Sequence, residues 1–280
     1  MPPPDAGQAA ISNVGPDPII VTAALTRHYG ALVAVDRLDL SVRRGIIFGL
    51  LGPNGAGKTT TIKMLTTLLP PTSGTAQVAG FEVSAQPREV RRRIGYVPQM
   101  VSADGALTAR ENLSLSARLY HLPLAERRER IAAGLEFMGL TTASDQLART
   151  YSGGMIRRLE LAQAMLHRPA VLFLDEPTIG LDPLARRAVW ERLENLRAQW
   201  GTTVLITTHD MEEADVLCEE VALMHQGRIA ALGTPAALKS EVGPEATLDD
   251  VFARVAGGTI ETGGQYKDVS RARTTARRLG

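Results

Sequence analysis

Cysteine and long apolar runs are scarce in this chain of 280 residues, and its charges nearly cancel. The single cysteine, Cys218, excludes a disulfide within the chain and a metal cluster built from several cysteines. No apolar run approaches the roughly 18 consecutive residues that a membrane span requires, so the sequence predicts no spanning helix. Lys and Arg number 31 against 30 Asp and Glu, which argues against binding of nucleic acid by bulk positive charge. We therefore expect no nucleic-acid partner.

Hydrophobic residues make up 44% of the chain, which is enough to bury a substantial core and to exclude a wholly disordered protein. The length fits one large α/β domain or two modest ones. Residues 1–18 hold five prolines and little apolar content, which predicts a disordered leader. We expect an ordered domain over residues 19–240 and an extension over residues 241–280. The end of that extension is a basic tail with Arg271, Arg273, Arg277 and Arg278.

Apolar patterning in the central part of the chain predicts strands that alternate with helices. Short apolar runs predict strands over residues 46–51, 171–174 and 204–208, and helical spacing predicts helices over residues 58–69 and 184–200. Pro70 and Pro71 are expected to end the first helix. From about residue 100 to residue 163 the patterns are helical and rich in Arg and Glu, which predicts an inserted helical subdomain. The alternation favours an α/β fold with a mainly parallel sheet covered on both faces.

A glycine-rich segment lies between the first of these strands and the first helix. Residues 52–59 match the pattern G-x-x-x-x-G-K-[ST], in which glycines let backbone N–H groups turn inward around phosphate oxygens. Lys58 would neutralise the β- and γ-phosphates, and Thr59 would offer a hydroxyl to Mg²⁺. A chance glycine-rich turn is the alternative, but the position before a helix N-terminus favours phosphate binding. The predicted nucleotide-binding residues are Gly52, Pro53, Asn54, Gly55, Ala56, Gly57, Lys58, Thr59 and Thr60.

Two carboxylates follow the predicted strand over residues 171–174 directly. Ligands of α/β sheets bind at the carboxyl ends of the strands, so Asp175 and Glu176 are candidate site residues. Asp175 would hold Mg²⁺ directly or through water, and Glu176 would orient or deprotonate an attacking water. The alternative is that this Asp-Glu-Pro segment only caps the next helix.

Residues 151–155 read Tyr-Ser-Gly-Gly-Met and are similar to the Leu-Ser-Gly-Gly-Gln signature loop of ABC ATPases. With the phosphate loop and the Asp-Glu pair, the chain resembles the ATP-binding subunit of an ABC transporter. The resemblance implies a P-loop NTPase core of the RecA-like kind, with ATP and Mg²⁺ as cofactors. It also implies that Ser152, Gly153 and Gly154 serve the γ-phosphate held by a partner subunit. The chain would then form a head-to-tail homodimer or pseudo-symmetric dimer around two ATP.

Four further residues match motifs of the same family, and the resemblance extends from about residue 19 to residue 238. It implies that Tyr29 stacks on adenine, although a surface or core tyrosine is the alternative. It implies that Gln99 approaches Mg²⁺ and faces the membrane partner. Asp182 would cross the dimer interface beside Glu176, and His209 would contact the γ-phosphate. The implied catalytic set is thus Glu176, His209, Gln99 and Lys58, with Thr59, Gln99 and Asp175 at the metal.

Met155 departs from the family signature, because a thioether cannot donate the hydrogen bonds of the usual Gln side chain. Either the loop backbone and Ser152 suffice, or turnover is reduced. Tyr-Ser-Gly-Gly-Met is typical of exporters of the daunorubicin-resistance type. Residues 247–252, Thr-Leu-Asp-Asp-Val-Phe, resemble a segment of the same branch. Thr247 and Asp250 form a capping pair there, which predicts a short helix that packs on its own domain; a partner role is the alternative.

The resemblance implies a peripheral ATPase subunit at the cytoplasmic side of the cell membrane. It would drive a separate polytopic permease of the ABC-2 type that exports a drug, an antibiotic or a lipid-like molecule. One alternative is the ATPase subunit of an ABC importer, which shares the core motifs. The other is a soluble ABC ATPase that acts on ribosomes or DNA, although such proteins usually carry two cassettes or a long coiled-coil insertion.

Overall fold

A computed structural model describes residues 18–257, and the leader and basic tail expected from the sequence lie largely outside this range. The strands are β1 (Pro18–Tyr29), β2 (Leu32–Arg43), β3 (Ile47–Leu51), β4 (Ser73–Val78), β5 (Phe81–Glu82), β6 (Ile94–Val97), β7 (Val171–Asp175), β8 (Thr203–Thr208), β9 (Glu220–His225) and β10 (Arg228–Gly233). The helices are α1 (Lys58–Leu65), α2 (Pro87–Arg93), α3 (Ala109–Leu119), α4 (Leu124–Phe137), α5 (Gly153–Met165), α6 (Pro183–Trp200), α7 (Met211–Leu217), α8 (Pro235–Ser240) and α9 (Leu248–Gly257). None of the helices in this range is long and apolar enough to cross a membrane.

The larger sheet has six strands in the order β10-β9-β3-β8-β7-β6. All neighbours pair in parallel except β10, which pairs antiparallel with β9 at the edge. Every residue of β3, β7 and β8 is buried, because both faces of the sheet are covered. The mainly parallel sheet of an α/β fold, predicted from the sequence, is confirmed.

A second sheet of four antiparallel strands, in the order β2-β1-β4-β5, was not predicted from the sequence. Its two long strands are irregular: register shifts interrupt the pairing of β1 with β2 at four places. Ala24 and Arg37 have positive φ angles of 48° and 45° within these strands. Such irregularities break the two-residue period that identifies a strand in a sequence. The inner side chains of this sheet pack with Phe48 and Leu50 of β3 in one hydrophobic cluster.

The first helix is shorter than the sequence indicated. It was predicted to continue to Leu69 and to end at the prolines that follow, but α1 ends at Leu65. Thr67 adopts a left-handed φ of 64°, and the amides of Leu68 and Leu69 both donate to the carbonyl of Lys63. The chain therefore closes the helix with a local turn before the prolines are reached.

Helices α3, α4 and α5 lie between β6 and β7. Helix α3 begins with a capping box, in which Thr108 accepts from the Glu111 amide and Glu111 accepts from the Thr108 amide. Helix α5 contacts α3 and α4 and also contacts α6 and β6. It therefore joins the helical segment to the sheet.

The C-terminal helix α9 packs on the same domain. The Thr247 hydroxyl accepts from the Asp250 amide at 3.2 Å, and the Asp250 carboxylate accepts from the Thr247 amide at 2.9 Å. The Thr247 amide and hydroxyl both donate to the carboxylate, which holds the pKa of Asp250 below its usual value. The face that meets the hydrophobic core carries Leu248, Val251, Phe252 and Val255.

The contact of α5 with β6 generates a test of stability. A Cβ atom on Gly95 would lie 2.4 Å from the carbonyl oxygen of Ala164 in α5, a backbone atom that cannot turn away. We expect Gly95→Ala to lower the free energy of unfolding by about 1–3 kcal/mol, measured by urea denaturation.

Gly134→Ala is the matched control, because its nearest neighbour would be a Leu166 methyl at 4.0 Å. Gly134 lies inside α4, where Ala should raise stability by up to about 1 kcal/mol. Equal stability of the two variants would contradict the close backbone contact.

Candidate active site

Three segments that carry candidate residues meet at one edge of the parallel sheet. The glycine-rich loop follows β3, Glu176 follows β7 and His209 follows β8. The register places Leu51 beside Thr208 and Asp175 beside Thr207. Parallel strands that end at the same level bring their following residues together. This alignment builds the site from parts of the chain far apart in sequence.

The glycine-rich loop requires glycine at two positions where other parts of the backbone approach closely. Gly57 has a φ of 104°, and a Cβ atom there would lie 2.5 Å from the carbonyl oxygen of Ala34. Gly52 has a φ of 152°, and its Cβ would meet the carbonyl oxygen of Met224 at 2.3 Å. The loop leads directly into α1, whose N-terminal amides face it and favour an anion.

Lys58 is buried at the base of this loop. Its Nζ donates to the carbonyl oxygens of Gly52 at 2.8 Å and Pro53 at 3.1 Å, and lies 3.6 Å from Oε1 of Glu176. Burial lowers the pKa of Lys58, and the Glu176 carboxylate partly offsets that effect. A cation held in this way can serve phosphate oxygens at the same place.

Asp175 is 2% exposed and is held by two hydroxyl groups. Thr59 and Thr207 both donate to its Oδ1, at 3.1 and 2.6 Å. Hydroxyl and carboxylate oxygens are ligands of the kind that Mg²⁺ prefers. Within residues 18–257 no group of three or more His, Cys, Asp or Glu could hold a metal. The donor set therefore fits Mg²⁺ bound by few protein ligands together with substrate phosphates.

The other three residues of the predicted catalytic set lie around the Glu176 carboxylate. Lys58 approaches Oε1, while Nδ1 of His209 lies 3.3 Å and Nε2 of Gln99 lies 3.5 Å from Oε2. Glu176 also has a left-handed φ of 50°. Its amide donates to both the carbonyl and the hydroxyl of Thr207, at 3.1 and 3.0 Å. Strained backbone of this kind is found preferentially at functional sites.

The remaining candidates lie outside this cluster. In the part of the chain that the structure describes, no hydrogen bond or ion pair joins Tyr29, Ser152 or Asp182 to Glu176 or Lys58. Tyr29 is exposed, and the Arg27 guanidinium lies 4.9 Å from its ring centroid. The Ser152 hydroxyl accepts from the Met155 amide at 3.3 Å and so caps α5.

The signature loop contacts the segment that carries Asp182. A Cβ atom on Gly154 would lie 2.8 Å from the Cβ of Ala185, and one on Gly153 would lie 3.3 Å from a Leu181 methyl. Asp182 itself accepts from the Ala185 amide at 2.9 Å and caps α6. The two candidate interface segments are therefore neighbours in one subunit.

A buried ion pair within α5, which the sequence analysis missed, also makes hydrogen bonds to the loop that carries Gln99. Arg157 lies 3.0 Å from Glu160, and both are buried. Arg157 also donates to the carbonyl oxygens of Pro98 at 2.9 Å and Gln99 at 3.3 Å, and Glu160 accepts from the Ser102 hydroxyl at 2.9 Å. The available signal was the i, i+3 spacing of opposite charges on a helix that is otherwise mostly apolar.

Glu213 is a second buried carboxylate that sequence reasoning missed. It accepts from the Thr178 hydroxyl at 2.7 Å and from the Trp190 indole N–H at 2.9 Å. It thus connects α7, which begins after His209, to α6 and to the loop that follows Glu176. Glu213 is a charged residue on a short helix, and nothing in the sequence indicated that its side chain is buried.

Comparisons with known proteins agree with this geometry. The ABC transporter family profile matches residues 35–179. The chain is 48% identical to the daunorubicin/doxorubicin resistance ATP-binding protein DrrA of Streptomyces peucetius over 82% of this chain and 70% of that protein. It is 46% identical to the Nod factor export ATP-binding protein I of Ralstonia nicotianae over 80% of this chain and 69% of that protein.

Solved structures show the same architecture. The structure of an ATP-binding subunit of an ABC transporter is 31% identical, with a TM-score of 0.76 over 85% of this chain and 99% of that one. The CbiO1 protein of Clostridium perfringens is 27% identical, with a TM-score of 0.74 over 87% of this chain and 96% of that one. The α/β fold with a parallel sheet is therefore shared with ATP-binding cassettes.

The position of Lys58 leads to a test of nucleotide binding. Lys58→Ala removes an ammonium group that contacts the loop carbonyls, and a charge-assisted hydrogen bond is worth about 1.5–3 kcal/mol. We expect ATP affinity to fall roughly 10- to 150-fold, measured by titration calorimetry. Lys63→Ala, an exposed site on the same helix, is the matched control. If the two variants bound ATP with equal affinity, Lys58 would not be a phosphate ligand.

Proposed function

Because this chain belongs to the ABC transporter family and is an ATPase of that family, we propose that it powers an exporter through a separate polytopic permease. The observation that carries the proposal is the cluster in which Lys58, Gln99 and His209 surround the buried Glu176. ATP is the nucleotide of the family. The roles of individual residues below are part of the proposal.

In the proposed reaction, Lys58 and the loop amides bind the β- and γ-phosphates of ATP. Glu176 orients a water molecule, whose oxygen attacks the γ-phosphorus while the bond to the β,γ-bridging oxygen breaks. Glu176 accepts the proton of that water, and His209 contacts the γ-phosphate and holds the carboxylate in place. Mg²⁺ held by Thr59 and Asp175 would neutralise charge on the phosphates.

Export is favoured by the relatives. The names of the Streptomyces and Ralstonia proteins describe drug resistance and Nod factor export, and their identities to this chain are similar, 48% and 46%. We therefore propose efflux of a drug, an antibiotic or a lipid-like molecule.

A permease of the ABC-2 type is the proposed partner, with this subunit peripheral at the cytoplasmic face of the membrane. Support comes from the apolar side chains of Met100 and Val101, which are 82% and 65% exposed beside Gln99. Leu119 of α3 is also exposed, at 69%. An apolar surface next to Gln99 suits a docking segment of another protein. The division into an ATPase domain over residues 19–240, with a helical insertion over about 100–163, belongs to the same proposal.

The dimer is proposed to be head-to-tail, with Ser152 of one subunit facing the ATP bound at Lys58 of the other. The exposed N-terminus of α5 at Ser152 is a suitable anion site. Ile179 and Leu184, on either side of Asp182, are exposed apolar residues. Gly153 and Asp182 would lie at the same interface, because their segments are in contact within one subunit.

A cross-linking experiment tests this dimer. Glu176→Gln keeps the shape of the side chain but removes the base, so ATP should bind without turnover. In that background we expect cysteines at the exposed Asn54 and at Gly153 to form links between chains when ATP is added. Gel electrophoresis would show a band of dimer size. Cys218 can stay, because burial raises the pKa of its thiol and keeps it out of reaction.

The control carries only one of the two introduced cysteines and should give no band of dimer size. Links within one chain, or links that do not depend on ATP in a protein shown to bind ATP, would contradict the head-to-tail arrangement. If Glu176→Gln hydrolysed ATP at the wild-type rate, Glu176 would not be the base.

The export direction can be tested in membrane vesicles. We expect inside-out vesicles that contain this chain and a permease from a neighbouring gene to accumulate doxorubicin when ATP is supplied. Vesicles with the Glu176→Gln variant are the matched control and should show no accumulation. ATP-dependent transport in the opposite direction that requires a binding protein would instead identify an importer.

A further inference from the structure

Thr207 is a fully buried threonine near the end of β8, and its side chain contacts both acidic residues of the site. Its hydroxyl donates to Oδ1 of Asp175 at 2.6 Å. The same hydroxyl accepts from the amide of Glu176 at 3.0 Å. A hydroxyl has one proton and two lone pairs, so a single Thr207 side chain can make both bonds at once.

The bond to Asp175 fixes the rotation of that carboxylate. Asp175 ends β7, and Thr207 stands beside it in the parallel register of β7 and β8. The torsion that turns a carboxylate is broad and not restricted by staggered wells, so orientation must come from hydrogen bonds. Thr59 supplies one donor from α1 and Thr207 supplies the other from the sheet. The bond from Thr207 is shorter than the bond from Thr59, and Thr207 is fully buried.

The bond to Glu176 supports an unfavourable backbone conformation. A φ of 50° is uncommon for a residue other than glycine, and such conformations persist where the surroundings determine them. The Glu176 amide is shared between the carbonyl and the hydroxyl of Thr207. This arrangement directs the Glu176 side chain towards Lys58, Gln99 and His209.

We propose that Thr207 is a positioning residue of the ATPase site, whose hydroxyl orients the Asp175 carboxylate and holds the Glu176 backbone. The proposal rests on the proposed roles of Asp175 and Glu176. Thr207 contributes through these two residues and does not itself need to touch the nucleotide. Its side chain lies in a fully buried strand, where a valine would fill the same space but form neither bond.

The test compares substitutions at Thr207 that keep or remove the hydroxyl. Thr207→Val keeps the shape and removes both hydrogen bonds. Thr207→Ser keeps the hydroxyl, and Thr207→Ala differs from Thr207→Ser by that hydroxyl alone. If Thr207→Val disturbs folding, the comparison of Ser with Ala still isolates the effect of the hydroxyl. Thr22→Val is the matched control, because Thr22 is a buried strand residue whose hydroxyl donates to the Leu38 carbonyl in the other sheet.

Two readouts are measured on the full-length protein: the kcat of ATP hydrolysis, and ATP affinity by calorimetry with Mg²⁺ or with EDTA. We expect Thr207→Val and Thr207→Ala to lower kcat about tenfold or more. We expect them to lower ATP affinity in Mg²⁺ about tenfold and to leave affinity in EDTA within about twofold of wild type. Loss of one hydrogen bond to a charged group corresponds to changes of roughly this size. Thr207→Ser and Thr22→Val should match wild type in all measurements within about twofold.

Three outcomes would overturn the proposal. The first is that Thr207→Val has the kcat and the Mg²⁺ dependence of the wild type, and the second is that Thr207→Ser and Thr207→Ala lose kcat and ATP affinity equally. The third is that Thr207→Val and Thr207→Ala lose as much ATP affinity in EDTA as in Mg²⁺. The last would show a general disturbance of the phosphate loop. The affinity readout separates this proposal from the proposed function. If the wild-type protein bound ATP but did not hydrolyse it, the proposed function would fail, while the Mg²⁺ dependence would still decide the role of Thr207.

Discussion

The parallel pairing of β3, β8 and β7 is the constraint on which the site depends. Because the three strands end at one level, Thr59 contacts Asp175 although 116 residues separate them in sequence. The strands can lie in the centre of the sheet because their side chains are mostly apolar and are buried on both faces. Gly49 of β3 permits close packing on this sheet, since a Cβ there would lie 2.9 Å from the sulfur of Cys218. Displacement of one strand would separate the phosphate loop from the carboxylates.

Charged groups buried at this edge are each compensated by a specific partner. Lys58 has two carbonyl oxygens and Glu176, Glu160 has Arg157 and Ser102, and Glu213 has Thr178 and Trp190. A buried charge without a partner is costly, so removal of one member leaves the other uncompensated. Each pair therefore contributes little to the free energy of unfolding by itself, but together the pairs strongly favour one arrangement of the site. The single-residue tests at Lys58 and Thr207 are informative for this reason.

Much of this site could be predicted from the sequence because its motifs are local. The glycine-rich loop and the Asp175–Glu176 pair each lie next to a strand that apolar patterning reveals, and the cap at Ser152 depends on residues three positions apart. The antiparallel sheet could not be predicted, because bulges near Ala24 and Arg37 interrupt its alternation. Thr207 escaped notice because a threonine in an apolar strand resembles an ordinary core residue. Its role depends on the neighbouring strand, which sequence patterns do not specify.

Helix α5 connects the parts of the molecule that the proposed function requires to act together. Its N-terminus carries Ser152, and one turn further Arg157 holds the carbonyls of Pro98 and Gln99. Gln99 in turn faces Glu176. The exposed Met100 continues the same loop, so a permease segment that moved this loop would act on Glu176 through Gln99 and on Ser152 through Arg157. Arg157 and Glu160 both lie on α5 and hold this loop by hydrogen bonds to the Pro98 and Gln99 carbonyls and from the Ser102 hydroxyl. Movement of the loop would therefore carry α5 with it, which would link the proposed docking surface to both halves of the proposed composite ATP site.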